Sequence, residues 1–191
     1  MASRKVTIGL YVLLAMMGVA NLLLVDQNLR MRRSIESARP ARLEVGDKVP
    51  PFTAVGLDGE QIDVAYTGQE RDRIMFFYTP SCPYSRQQFP GWLDLADRTD
   101  KHKIEVLGLV ADAEDKVKLR EYLHEMGLAR PSGVTFTTAI IPKEVRSKYK
   151  LSETPLTLLI AYDGTVKKVW AGRWDSKALA SANGAIGVMG E

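Results

Sequence analysis

The chain has 191 residues, of which 46% are hydrophobic and 26% charged, with a formal net charge of +3. That length suits one domain plus an appendage, and so small a charge, with no basic stretch interleaved with aromatics, gives no footprint for nucleic acid. One cysteine excludes an intramolecular disulfide, and beside only two histidines it leaves too few ligands for a structural zinc site.

The first predicted element is apolar. Residues 6–25, VTIGLYVLLAMMGVANLLLV, contain no charged side chain, and Asn21 is their clearest polar interruption. At ~1.5 Å per residue the run is just long enough to span a hydrocarbon core. Arg4 and Lys5 precede it as in the n-region of a signal sequence, and Gly18-Val19-Ala20 resembles a cleavage site. The run continues through Leu22, Leu23, Leu24 and Val25, which favours a retained transmembrane anchor over a cleaved signal peptide. The chain therefore divides into a tail (1–5), an anchor (6–25), a polar juxtamembrane linker (26–43) and a folded domain (44–187). Arg30, Arg32, Arg33, Arg39 and Arg42 follow the span against Arg4 and Lys5 before it, so a positive-inside count alone keeps the domain in the cytoplasm.

From Val45 onward the pattern is that of a mixed α/β domain. FTAVGLDGEQIDV places two short strands around Asp58-Gly59, a two-residue hairpin signal. RIMFFY (73–78) reads as a buried central strand. PYSRQQFPGWLDLADR reads as a helix opening at Pro83, a favoured first-turn position, with Pro90 expected to kink it. KIEVLGLVAD is a second buried strand, and AEDKVKLREYLHEMG an amphipathic helix ended by Gly127. LARPSGVTFTTAI reads as irregular, PKEVRSKYK as a short helix, PLTLLIAYDGTVKKVWAG as two strands around Asp163-Gly164, and residues 175–187 as a final helix. The sum is a mixed sheet flanked by helices.

Chemistry concentrates at TPSCPYSRQQFP, residues 79–90. Cys82 falls after a central strand and at the N-terminus of a helix, where unpaired N–H groups and the helix dipole favour an anion and should lower the thiol pKa below about 8.5. A thiolate is the nucleophile of thiol–disulfide exchange. Ser85 lies one turn further on, where its hydroxyl can donate to the sulfur but cannot supply a second thiol. The plainer alternative for Cys82 is a small buried hydrophobe. Trp92, Trp170 and Trp174 read as core and sheet-surface aromatics. Asp112, Glu114 and Asp115 read as first-turn helix acids, His102 as a loop residue and His124 as a polar-face residue.

Three motifs in order resemble the membrane-tethered bacterial redoxins of the TlpA/ResA type, within the redoxin (AhpC/TSA-like) superfamily. VGDKVPPFTAVGLDGE resembles that family's entry motif, FFYTPSCPYSRQQFP its active-site strand, loop and helix, and YKLSETPLTLLIAYDGTV its cis-proline landmark at Thr154-Pro155. The resemblance implies a thioredoxin-like fold with an N-terminal β-hairpin extension, in a single-pass protein of the bacterial inner membrane with its domain in the periplasm, against the arginine count. It implies Cys82 as nucleophile, with Ser85 tuning it, and Pro83, Tyr84, Thr154 and Pro155 as the surface that receives a substrate chain. It implies protein thiol or disulfide partners, an external thiol to resolve the mixed disulfide, and neither cofactor nor metal. Two departures stand out: Ser85 replaces the resolving cysteine, and Ser81 stands where a tryptophan often precedes the nucleophile. A non-catalytic binding or chaperone module on the same fold is the alternative of another class. A one-cysteine peroxidase is a further alternative, because Thr79-Pro80-Ser81-Cys82 satisfies the Thr-x-x-Cys spacing of peroxiredoxins, although Met75 stands where their pocket-shaping proline would be.

Overall fold

The structure is a computed structural model, and it describes residues 2–37, 42–66, 70–111, 115–130, 133–134 and 136–187, with side chains of the first helix given at 8, 9, 11, 13, 14 and 16–31. Two units result, residues 1–40 and 41–191.

The first unit is the helix α1 (Ala2–Ser37), which carries the apolar run and the start of the linker without a break. Its described side chains stand exposed. Among the described residues no helix is long and apolar enough to cross a membrane; side chains at 6, 7, 10, 12 and 15, five of the first ten residues of the run, lie outside that description.

The second unit is built on one seven-stranded sheet. Its strands are β1 (Phe52–Gly56), β2 (Gln61–Val64), β3 (Asp72–Tyr78), β4 (Ile104–Val110), β7 (Thr137–Ile140), β8 (Leu156–Ile160) and β9 (Val166–Ala171), in the order β2-β1-β7-β4-β3-β8-β9. A separate two-stranded ribbon pairs β5 (Ala129–Arg130) with β6 (Gly133–Val134). β3 runs parallel to β4 and β4 parallel to β7, whereas β8 and β9 close one edge antiparallel and the β1–β2 hairpin the other.

The period of two in a strand sorts β3 between two cores. Ile74, Phe76 and Tyr78 face one layer, with Phe89, Trp92 and Leu93 of α2 (Pro83–Arg98), Leu119 and Leu123 of α3 (Lys116–Glu125), and Ala182 of α5 (Ser176–Ala185). Met75 and Phe77 face the other, with Ala54, Val64 and Tyr149, and with Val145 of α4 (Lys143–Lys148). Trp92 is wholly buried and stacks on Phe76 at 4.9 Å between ring centroids. Both faces are covered, which is why IMFFY (74–78) is apolar at every position rather than alternating.

Two expectations need correcting. The segment around TTAI is a strand, β7, and not irregular: it joins the hairpin to the sheet by pairing Val55 with Ile140 and Leu109 with Ala139. The Asp-Gly hairpins hold three-residue loops, not two. Gly56 N donates to Glu60 O (2.8 Å) around Leu57–Gly59, and Ala161 N donates to Thr165 O (2.8 Å) around Tyr162–Gly164. Each loop ends on a glycine of positive φ, Gly59 (+93°) and Gly164 (+83°), as a three-residue loop requires. α2 contains Pro90 in its interior and continues to Arg98. Asp115 caps α3, its carboxylate accepting from Val117 N and Lys118 N; Asp112 and Glu114 lie outside the described residues.

Candidate active site

β3 ends at Tyr78 and the chain turns into α2 through Thr79–Cys82, where Cys82 N donates to Thr79 O at 3.0 Å. Cys82 is the N-cap, with extended backbone (φ −83°, ψ 116°), and Pro83 follows at the first helical position. Proline has no N–H to leave unsatisfied there and its fixed φ suits a helix, so the sequence Cys-Pro defines where the helix begins. The first helical bond runs from Arg86 N to Cys82 O (3.2 Å).

The bond between Thr154 and Pro155, in the loop that leads into β8, is cis. The Cys82 thiol donates to Thr154 O at 3.3 Å, and the hydroxyls of Thr79 and Thr154 stand 3.3 Å apart. Cys82 is partly exposed, Tyr84 beside it is 60% exposed, and Pro83 is exposed, whereas Pro155 is buried. Of the residues expected at the site, Cys82, Pro83, Tyr84, Ser85, Thr154 and Pro155 thus gather at one turn and one loop.

Ser85 is fully buried, and its hydroxyl meets no hydrogen-bond partner among the described residues. A buried polar atom left unpaired costs about 1–3 kcal/mol, so its placement needs a reason, and the thiolate provides one. Desolvation pushes the Cys82 thiol up, but the N–H and hydroxyl of Ser85, the Thr154 side chain and the N–H of Tyr84 together outweigh it and hold its pKa below the ordinary value. Ionisation gives up the thiol's own bond to Thr154 O and gains these donors.

One site residue escaped the sequence reading. Tyr122, on α3, is also buried, and its hydroxyl has no partner among the described residues. Burial pushes it up to about 12, the Arg86 guanidinium pulling down and a charge on Cys82 pushing further up, so its hydroxyl lies within electrostatic reach of the sulfur. Arg86 sits 5.2 Å over the Tyr122 ring and pairs with Glu125 at 2.9 Å. The only sequence signal was the apolar spacing of Leu119, Tyr122 and Leu123, which announces a core position and nothing more.

A pocket of ≈140 Å³ opens beside the loop, lined by Thr79, Thr154, Arg146, Leu151 and Glu153 among others. Two larger pockets, around Phe136 and around Phe52, include no residue of this site. Among the described residues no group of three or more His, Cys, Asp or Glu side chains is placed to hold a metal ion. His102 lies in a turn and His124 is exposed on α3.

The fold has known counterparts. The family model described as the AhpC/TSA family matches residues 45–169. No curated protein matches the chain. The thioredoxin domain of a thiol-disulfide oxidoreductase from Bacteroides vulgatus superposes with a TM-score of 0.60 at 14% identity, over 75% of this chain and 99% of its own. A secreted disulfide oxidoreductase of Mycobacterium tuberculosis, homologous to E. coli DsbE, superposes at 0.56 with 20% identity, over 70% and 95%. StoA from Bacillus subtilis does so at 0.56 with 16% identity, over 70% and 96%. At these identities the likeness is one of fold: thioredoxin-like, with a mixed sheet and flanking helices.

Proposed function

The chain belongs to the AhpC/TSA family, and on that premise we propose that it is a monothiol thiol–disulfide oxidoreductase whose only nucleophile is Cys82. The observation that carries this is the pairing of a depressed Cys82 thiol with a fully buried, unpartnered Ser85 hydroxyl at a helix start. The names of similar structures, which include thiol-disulfide oxidoreductases, support the same chemistry.

In the forward step the Cys82 thiolate attacks a substrate disulfide, forming a Cys82–substrate disulfide and expelling the other substrate sulfur as a thiolate. The N–H groups of Tyr84 and Ser85 and the Ser85 hydroxyl stabilise the attacking charge. Thr154, with Pro83 and the exposed Tyr84, forms the surface along which an extended substrate chain lies, and Pro155, which is buried, follows in the same loop. Ser85 has no sulfur, so the mixed disulfide persists until an external thiol attacks it and leaves as part of a new disulfide. The test is direct: a mixed disulfide with a cysteine peptide should be isolable from the native chain and released only on adding a small thiol. In Ser85→Cys it should release the peptide unaided. Spontaneous release from the native chain would overturn the monothiol reading.

Two observations favour a second reading, peroxide reduction: the family match and the Thr79-x-x-Cys82 spacing. Against it, the Thr79 hydroxyl is turned to Thr154 and Met75 is wholly buried in the core. Selective oxidation of Cys82 by peroxide, faster than a free thiol, would favour that reading. If the chain is instead a binding module, Cys82→Ser should still capture its partner.

Residues 6–25 serve in this proposal as a membrane anchor, 26–43 as a linker and 44–187 as a domain facing the bacterial periplasm. The uncharged run supports the anchor, and the arginines after it oppose the orientation. A compartment-sensitive reporter at the C-terminus decides; activity confined to the cytoplasm overturns the assignment.

A further inference from the structure

The first unit carries a pattern that an anchor does not require. Along α1 the residues Leu14, Met17, Asn21, Leu24, Asn28 and Met31 recur at alternating spacings of three and four, and the sequence extends the series to Leu10 and Ile35. That is the heptad seam of a coiled coil, sustained for more than three repeats. The apolar members on the described helix face solvent in the single chain: Leu14 is 54% exposed, Met17 55%, Leu24 62% and Met31 55%.

We infer that α1 is one strand of a parallel two-stranded coiled coil whose other strand is α1 of a second copy of this chain.

Three features point to an identical partner in parallel register. Counting Leu14 as position a, Asn21 and Asn28 both fall at a, and Asn at a specifies register and two-strandedness by pairing with its own counterpart across the seam. The Asn21 amide donates to its own helix at Met17 O (2.9 Å), which leaves its second N–H and its carbonyl for the identical side chain opposite. The charges avoid the seam: Asp26, Arg30, Arg33 and Glu36 fall at outer positions, and Asp26 pairs outward with Arg30 at 2.8 Å. At the flanks, Gln27 of one strand faces Arg32 of the other, and no like charges meet.

Hydrocarbon alone does not account for the pattern. The helix has 36 residues, ~54 Å at the α-helical rise, against a core of about 30 Å. The uncharged run stops at Val25, yet the seam continues through Asn28, Met31 and Ile35 among Asp26, Arg30, Arg32 and Arg33. Lipid tails do not cover that half, and a second helix does.

The experiment uses the full-length chain in lipid vesicles with Cys82→Ser, so that no native thiol remains, and single cysteines placed along α1. Under mild oxidation Met17→Cys, Leu24→Cys and Met31→Cys should form disulfide-linked dimers several-fold more than Val19→Cys, Leu22→Cys, Leu23→Cys and Asp26→Cys. Sedimentation of the Cys82→Ser chain in micelles should return twice the protomer mass. Equal low yields at every position would mean lipid alone covers the helix. Maxima on the outer positions, or a mass of one, three or four protomers, would equally overturn the inference.

Discussion

The two ends of β3 hold polar groups in opposite conditions. Where the strand begins, Arg73 is buried to 2% exposure, pairs with Glu105 at 2.5 Å, donates to Ala65 O, and lies 5.3 Å over the Tyr66 ring. Tyr149 donates to Pro50 O at 2.9 Å, so the 2.5 Å contact between the tyrosine hydroxyls is a donation from Tyr66. Desolvation pushes Tyr66 up to about 12 and Tyr149 higher still. Just beyond the strand's other end, the buried hydroxyls of Ser85 and Tyr122 have no partner among the described residues. One sheet thus carries a saturated network at one end and two open hydroxyls at the other. The satisfied end stabilises the fold, and at the open end the Ser85 hydroxyl is among the groups that hold the Cys82 pKa down.

Substitutions at the two ends should therefore act on different observables. The largest effect is expected from Cys82→Ser, which should abolish exchange with a disulfide peptide while leaving the melting temperature nearly unchanged. Arg73→Met should do the reverse. Breaking a fully buried ion pair costs about 3–5 kcal/mol; the Glu105 side chain is 32% exposed and can rehydrate, so a loss of about 2–3 kcal/mol in urea unfolding is expected, with Cys82 reactivity intact. Tyr66→Phe should cost about 1–2 kcal/mol by removing one bond of a satisfied chain. Ser85→Ala sharpens the contrast, because deleting an unpaired hydroxyl should leave stability unchanged or raise it by up to about 1 kcal/mol, while thiol alkylation against pH shifts its midpoint upward. A destabilised Ser85→Ala would mean the hydroxyl is structurally satisfied after all.

The smallest effect is linkage at Cys82. A thiol whose folded pKa is depressed stabilises the fold above its unfolded value, about 8.5, and loses that contribution as pH falls through the folded pKa. The native chain should gain stability over Cys82→Ser as pH rises across that window and hold the gain above it. A gain on acidification would contradict the direction of the shift.

Much of this was legible in the sequence, for identifiable reasons. Continuous apolarity marked β3 and β4, and Pro83 marked the start of α2, because one local feature decided each. The strand at Thr137–Ile140 was not legible: TTAI is short and follows a Pro-Ser-Gly turn signal, and it is a strand because β1 and β4 both pair with it. The Asp-Gly turns announced hairpins, but loop length depended on the flanking pairing. At the site, the meeting of Cys82 with the Thr154-Pro155 loop was legible from the motifs that carry the family resemblance. The burial of Ser85 and the approach of Tyr122 were not, since both depend on tertiary packing, such as Tyr122 of α3 against Phe89 of α2, which no spacing in either helix encodes.

The central claim is that Cys82 is an activated thiol, and its titration tests that most directly. Thiolate absorbance near 240 nm would be followed against pH on the full-length chain, with Cys82→Ser as the blank. The account predicts a midpoint below about 8.5 that moves upward in Ser85→Ala. A midpoint at or above that value, unmoved by Ser85→Ala, would contradict it and leave a fold without its nucleophile.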